Sequence, residues 1–305
     1  MRVEFAQTIL EVATQDASVL FLTGDLGFMA LEEVRDRLGE RFINAGVAEQ
    51  NMVSAAAGLA ARDFKPIVYS IAPFATLRPY EQLRNDVCLH NLPVKVVGNG
   101  GGYGYGIMGS THHALEDVGV MRTLPNMRVF VPAFGSDVAK CVRAMMAYSG
   151  PAYLRLGKSV PNFGLVTDAS PWAPMRRVSQ GSSLVVAAMG PVVEHVISLL
   201  PELPPGSVDL WSVGELSLSS LDGEFLRSAQ EAGRVITVEE HYLAGGMAEN
   251  MAPHLINACS GRLRFKNLFA RGYPSGLYGS QRWHQDENAL AGPGLLAALR
   301  EMLGL

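Results

Sequence analysis

Short apolar runs that stop at Gly, Pro or Asn alternate with longer helix-like segments along most of the chain, and this alternation limits the folds open to it. In the first half the strand-like runs are 18–23, 65–71, 93–98, 128–131 and 152–156, and helix-like segments lie around 3–14, 48–62, 79–90, 114–123 and 135–148. Strands joined by helical crossovers pair in parallel, so the pattern predicts a sheet covered on both faces, with ligands near the carboxyl ends of its strands. Glycine, at 32 of 305 residues, falls where strand gives way to helix, as α/β folds require. Across 157–181 the alternation dissolves into Pro161, Asn162, Gly164, Pro171 and Pro174, which suits a connection between domains. It restarts with strand-like runs at 183–189, 207–213, 234–239 and 263–269 and helix-like segments at 191–200, 222–232 and 246–258. The expected organisation is an α/β domain over 1–165, a linker over 166–181 and a second, smaller α/β domain over 182–305.

Composition narrows the function classes. The net charge is −4 and no Lys/Arg run stands out, so no basic field for nucleic acid or lipid is expected. The most apolar stretch, 52–61, is far shorter than the ~20 residues that cross a bilayer. Cys88, Cys141 and Cys259 are too scattered for a zinc site or a redox dithiol and are expected to be buried small hydrophobes. The first five residues, with an acid at Glu4, do not read as a signal peptide, and a cytoplasmic location is expected.

Three segments could carry chemistry. Residues 44–51, Asn-Ala-Gly-Val-Ala-Glu-Gln-Asn, precede an almost wholly small and apolar helix, which puts Glu49 at the mouth of a buried element. Two accounts stay open there: a first-turn acid complementing the helix dipole, or a carboxyl group tuned by partial burial to exchange a proton with a bound ring. Residues 70–80 place Phe74 and Tyr80 six positions apart after a strand, where they pack into the core or face an aromatic heterocycle. Residues 98–106 hold six glycines, so a ligand could approach that backbone closely. The GxGxxG formed by Gly104, Gly106 and Gly109 is not read as a dinucleotide fingerprint, because the first β–α turn of the chain lacks one. His112 and His113 point to opposite faces if extended and make a poor metal pair; His112 could hold a substrate oxygen or move a proton. No metal site is expected on this chain.

Taken in order, these segments resemble the transketolase family of thiamine diphosphate enzymes, specifically the half with the pyrimidine-binding domain followed by the smaller terminal α/β domain. The matching stretches are Gly46-Val47-Ala48-Glu49-Gln50, 74–82, Thr111-His112, 124–127, Gly150-Pro151, Val238-Glu239-Glu240-His241 and Gly245-Gly246; residues 270–290 match least. The resemblance implies that Glu49 hydrogen-bonds the aminopyrimidine and favours its imino tautomer, and that a two-carbon ketol unit passes from a ketose, with or without phosphate, to an aldehyde acceptor. It implies that Phe74, Leu77 and Tyr80 flank the pyrimidine, that Asp25 lies near the cofactor, and that His112 contacts substrate oxygens. Arg78, Arg155 and Lys158 are cationic candidates for substrate, Lys158 standing in place of a phosphate-binding Arg, and Tyr103 and Tyr105 are candidate hydroxyls.

Departures from the family pattern matter too. Ile107 and Met108 replace an acidic pair that meets sugar hydroxyls, Gly100 replaces a histidine, and Leu77 replaces an aromatic, so the substrate pocket is expected to be less polar and roomier. The Gly-Asp-Gly motif that holds magnesium and the diphosphate in family members working alone is absent from the sequence. The expectation is therefore a split enzyme: thiamine diphosphate shared with an N-terminal transketolase subunit that holds Mg²⁺, in an α₂β₂ assembly with self-association. The alternatives are a β subunit of a 2-oxo acid or acetoin dehydrogenase complex and, from another class, a non-catalytic interaction subunit.

Overall fold

A computed structural model describes residues 1–27, 30–165, 172–216, 220–259, 261 and 263–305. Among the described residues the first half forms a six-stranded, all-parallel sheet from β1 (Val19–Thr23), β2 (Phe42–Asn44), β3 (Lys65–Ile71), β4 (Lys95–Asn99), β5 (Arg128–Phe130) and β6 (Ala152–Leu156), in the order β2-β1-β3-β4-β6-β5. The second half forms a five-stranded sheet from β7 (Met175–Ser179), β8 (Leu184–Met189), β9 (Val208–Val213), β10 (Arg234–Glu239) and β11 (Arg264–Phe269), in the order β11-β10-β8-β9-β7. Only β7 runs antiparallel among these described strands. The α/β class expected from the alternation is borne out.

Period-two patterning explains how the first sheet is covered. Val19 and Phe21 of β1 point to the face packed by the helices Arg2–Gln15 and Gly135–Ala147, where Phe5, Ile9, Val138 and Val142 are fully buried. Leu20 and Leu22 point to the other face, against Met52, Val53 and Ala56 of the helix Glu49–Ala60. Each fully buried Val, Leu or Phe contributes about 1.5–3 kcal/mol relative to exposure. The small residues of that helix let it lie close on β3, and its first residue thereby reaches the carboxyl edge of the sheet.

The core on this second face runs without a break into the second half, taking in Met189, Val213, Phe225 and Met251. The outer edge of β5 is covered as well. Val131 N–H donates to the Gly214 carbonyl at 2.7 Å, Leu216 N–H donates to the Val129 carbonyl at 3.0 Å, and Arg128 grips Glu215 through two hydrogen bonds of 2.7 and 2.8 Å.

Several elements differ from the sequence expectation. Strand β7 lies within the tract read as a linker, of which residues 166–171 fall outside the described residues. Two adjacent arginines, Arg176 and Arg177, hide it from an apolar pattern, and they pair with the buried Asp137 and Asp209. The segment read as helical around 79–90 is helical over 80–88, but it winds as α-helix at Tyr80–Gln82 and as π-helix at Leu83–Cys88. The short strand β2 and the helices Glu32–Leu38, Gln281–Glu287 and Gly292–Leu303 had no counterpart in the sequence reading.

Candidate active site

The site is assembled at the carboxyl ends of β1, β2, β3 and β4. Glu49 opens its helix and is only 3% exposed. The Ser70 hydroxyl, near the end of β3, donates to Oε1 at 3.1 Å, and Arg78 Nη1 donates to Oε2 at 3.0 Å. A Cβ on Gly24 would stand 3.5 Å from Oε1, so the carboxylate lies directly against the turn after β1. A buried carboxylate is costly unless it is paired, and here one neutral donor and one cation pair it. The helix field accounts for an acid in the first turn. It does not account for the swing of the carboxylate toward Ser70 and Arg78.

Beside Glu49 runs a row of rings. The Arg78 guanidinium carbon sits 3.8 Å from the centroid of Phe74. The His112 ring meets Phe74 edge-on at 5.2 Å, and Tyr105 lies 5.8 Å beyond His112. Thr111 Oγ1 pairs with His112 Nδ1 at 2.9 Å, which leaves Nε2 available to a ligand. Tyr105 accepts from Asn99 Nδ2 at 2.9 Å, and burial pushes its phenol up, so the hydroxyl stays neutral. Gly100, at φ 74°, makes room for it: a Cβ there would fall 2.2 Å from the Tyr105 ring. The ring row ends at a hollow whose lining holds two cations, Arg2 and Lys158, one carboxylate, Glu4, and the polar Asn99, Tyr105 and Gln281. Arg2 was missed by the sequence reading, since nothing in a cation at the head of a helix marks it as facing the Gly-rich loop.

Other expected site residues are placed differently. Asp25 takes a left-handed conformation at φ 59°, fixed by Asn44, whose Oδ1 accepts the Asp25 N–H at 3.1 Å and whose Nδ2 donates to Asp25 Oδ1 at 2.8 Å. It lines a hollow of its own with Thr23, Gly27, Leu31 and Arg35. Leu77 and Tyr80 line another with Gly119, Val120, Thr123 and Gly245, where the Tyr80 and Thr123 hydroxyls pair at 2.6 Å. Met108, beside the exposed Ile107, is 56% exposed on the turn before His112.

Two expectations are corrected by the packing. Tyr103 supplies no hydroxyl to a substrate pocket: it is fully buried, its hydroxyl donates to the Gly272 carbonyl at 2.7 Å and accepts from Asn288 Nδ2 at 3.1 Å, and its ring stacks on His284 at 4.8 Å. Arg155 is no free cation either. Its guanidinium donates to the Ala114 and Glu240 carbonyls at 2.7 and 2.8 Å and pairs with Asp117 at 3.2 Å. Tyr103 ties the Gly-rich loop to the second half, and Arg155 ties the end of β6 and residues 114–117 to it.

In the stretch 239–241, Glu240 and His241 reach the first half while Glu239 caps the helix Met247–Ala258. Glu239 accepts the Met247 and Ala248 N–H groups at 2.6 and 2.9 Å, and burial pushes it up to about 7. Glu240 accepts the Tyr103 N–H at 2.6 Å, and His241 Nε2 accepts the Gly119 N–H at 3.0 Å. Cys88 and Cys141 are buried and Cys259 is half-buried, all with free thiols.

The donor set fits the ring of the implied cofactor. A flat cation already stacks on Phe74 while hydrogen-bonding to Glu49, so this slot accepts a planar nitrogen-bearing group. Among the described residues no three His, Cys, Asp or Glu side chains converge as a metal site.

Comparison with known proteins agrees with this geometry. Residues 1–162 match the family described as transketolase, pyrimidine binding domain. The chain is 33% identical over 250 residues to an apulose-4-phosphate transketolase subunit of Phocaeicola vulgatus, covering 81% of this chain and 80% of that protein. It is 30% identical over 269 residues to a 6-deoxy-6-sulfo-D-fructose transketolase subunit of a Clostridium species, covering 87% and 83%. A solved structure described as a split gene transketolase, inactive beta4 tetramer, aligns with a TM-score of 0.86 at 27% identity, over 100% of this chain and 98% of that one. The family drawn from the sequence motifs is borne out: the chain belongs to the transketolase family, as the kind of subunit of a split enzyme that carries the pyrimidine-binding domain and a second, terminal α/β domain.

Proposed function

We propose that this chain works with a second polypeptide as a thiamine diphosphate-dependent transketolase, moving a two-carbon ketol unit from a ketose donor to an aldehyde. The observation that carries the reading is the buried Glu49 carboxylate beside Phe74, with a flat cation, the Arg78 guanidinium, lying against both. When bound, the cofactor supplies the electron sink that lets a carbon–carbon bond break. The chain's own residues supply geometry and proton control. Glu49 accepts a hydrogen bond from a ring nitrogen of the aminopyrimidine, Ser70 fixes the rotamer of Glu49, and Phe74 stacks on the ring. His112, oriented by Thr111, presents Nε2 to a substrate oxygen.

Arg2 and Lys158, which line the hollow beyond Tyr105, would receive an anionic sugar end, Lys158 turning from the exposed contact it makes with Glu194 at 3.9 Å. Two relatives whose names carry a phosphate-bearing and a sulfonate-bearing sugar support an anionic substrate. The partner holds the diphosphate and Mg²⁺, a hard ion that wants oxygen ligands. An α₂β₂ assembly with the cofactor between unlike chains, in the cytoplasm, completes the proposal.

The test is co-expression with a chain bearing Gly-Asp-Gly and a downstream Asn, followed by a screen of donor ketoses and acceptor aldehydes. Glu49→Gln should lower kcat by about 10²–10⁴ without changing assembly. A variant that retains the full rate sinks the reading.

A further inference from the structure

Arg78 uses both surfaces that the proposed function gives to a heterocycle. Its guanidinium carbon lies 3.8 Å from the Phe74 centroid and its Nη1 lies 3.0 Å from Glu49 Oε2. Stacking distance admits one occupant per face, so the guanidinium and a pyrimidine that reaches Glu49 from the same side cannot share that face of Phe74. We propose that Arg78 is a resident competitor of the cofactor's ring, which covers Phe74 and neutralises Glu49 until the ring displaces it; the proposal rests on the function argued above.

Burial supports the exchange. The Arg78 side chain is 43% exposed while Glu49 is 3% exposed, so the guanidinium can leave for water but the carboxylate cannot follow. Once Arg78 has gone, Glu49 is a buried carboxylate with Ser70 as its remaining donor, and a ring nitrogen that brings a proton restores the lost hydrogen bond. An incoming group must therefore be flat enough to stack and able to donate to Glu49. Arg78 acts as a selectivity filter for such groups and as a cover that keeps the site closed in the cofactor-free chain.

A competing conformer reduces apparent affinity by the fraction of molecules that are open. A cation–π contact and a half-exposed ion pair each have modest strength, which together correspond to about a fivefold to tenfold loss of affinity. The test uses the full chain assembled with its co-expressed partner, titrated with thiamine diphosphate by isothermal calorimetry and by stopped-flow mixing. Arg78→Ala should lower the dissociation constant about fivefold to tenfold and speed association. Arg78→Lys keeps the charge but loses the planar stack and should fall between. If Arg78→Ala binds no more tightly than the wild type while Glu49→Gln weakens binding, Arg78 is not a competitor and the proposed function survives. If the wild-type pair takes up no cofactor, both fail together.

Discussion

Replacing Arg155 by Met separates a structural cation from a substrate-binding one. Arg155 projects from β6 and is 5% exposed; Asp117, which it pairs with at 3.2 Å, is 1% exposed. Of the groups that Arg155 serves, the Ala114 carbonyl keeps the Gly102 N–H at 2.9 Å and loses little. Asp117 keeps only the Tyr153 hydroxyl at 2.6 Å as a hydrogen bond, which does not neutralise its charge. Removing one partner of a buried ion pair costs about 3–5 kcal/mol, because the other charge stays in low dielectric. For a chain of this size that is on the order of 10 °C in Tm. Thermal and urea melts of Arg155→Met would read it directly. Asp117→Asn should rescue part of the loss, with a coupling of about 1–3 kcal/mol in the double-mutant cycle. A cation that gripped substrate would instead raise KM and leave the melt alone, so a Tm within about 2 °C of wild type refutes the argument.

Other consequences are open to measurement. Lys95 is buried with its ammonium on the Tyr148 and Gly150 carbonyls at 2.6 and 2.7 Å, and burial, then Arg128 and Lys65, push it down from 10.5 to about 7. The unfolded chain therefore binds more protons between about pH 7 and 10.5, and stability rises with pH across that window, by at most roughly 5 kcal/mol. Lys95→Met should flatten the rise; equal slopes for the two proteins in urea melts at a series of pH values would contradict it. Arg2→Ala and Lys158→Ala should each raise KM for a phosphorylated donor about tenfold with kcat unchanged, while an uncharged donor is unaffected. Equal KM changes for both donors would remove the anionic subsite.

Which parts of this were legible in the sequence follows from how local each signal is. The strands β3, β6 and β10 could be bounded to the residue because each is an apolar run closed at both ends by a breaker or a charge. Glu49 stood out in the sequence because it heads a helix of mostly small and apolar residues, and the structure buries it there between Ser70 and Arg78. Tyr103 was misjudged because what buries it, Gly272, His284 and Asn288, lies some 170–185 residues away in the stretch where the family resemblance is weakest. Arg155 was misjudged for a different reason: a cation at a strand end reads alike whether it meets substrate or two carbonyls and an aspartate. The helix Gln281–Glu287 escaped notice because its sequence, Gln-Arg-Trp-His-Gln-Asp-Glu, carries no apolar period. The Gly-rich loop advertised closeness to something, and the something proved to be protein at Gly100, Gly101 and Gly102, where Tyr105, Arg155 and Glu240 fill the space a Cβ would need.

The cover laid along β5 by residues 214–216 bears on how the two halves can be handled. A strand margin bristling with unsatisfied amides recruits whatever extended chain it meets. In this molecule the recruit comes from the same polypeptide, supplied by the turn that leaves β9. Truncation after the pyrimidine-binding portion would strip that guard and bare Val129 and Val131 along with the shared apolar seam, so the fragment should come out of cells as inclusion bodies rather than as a portable module.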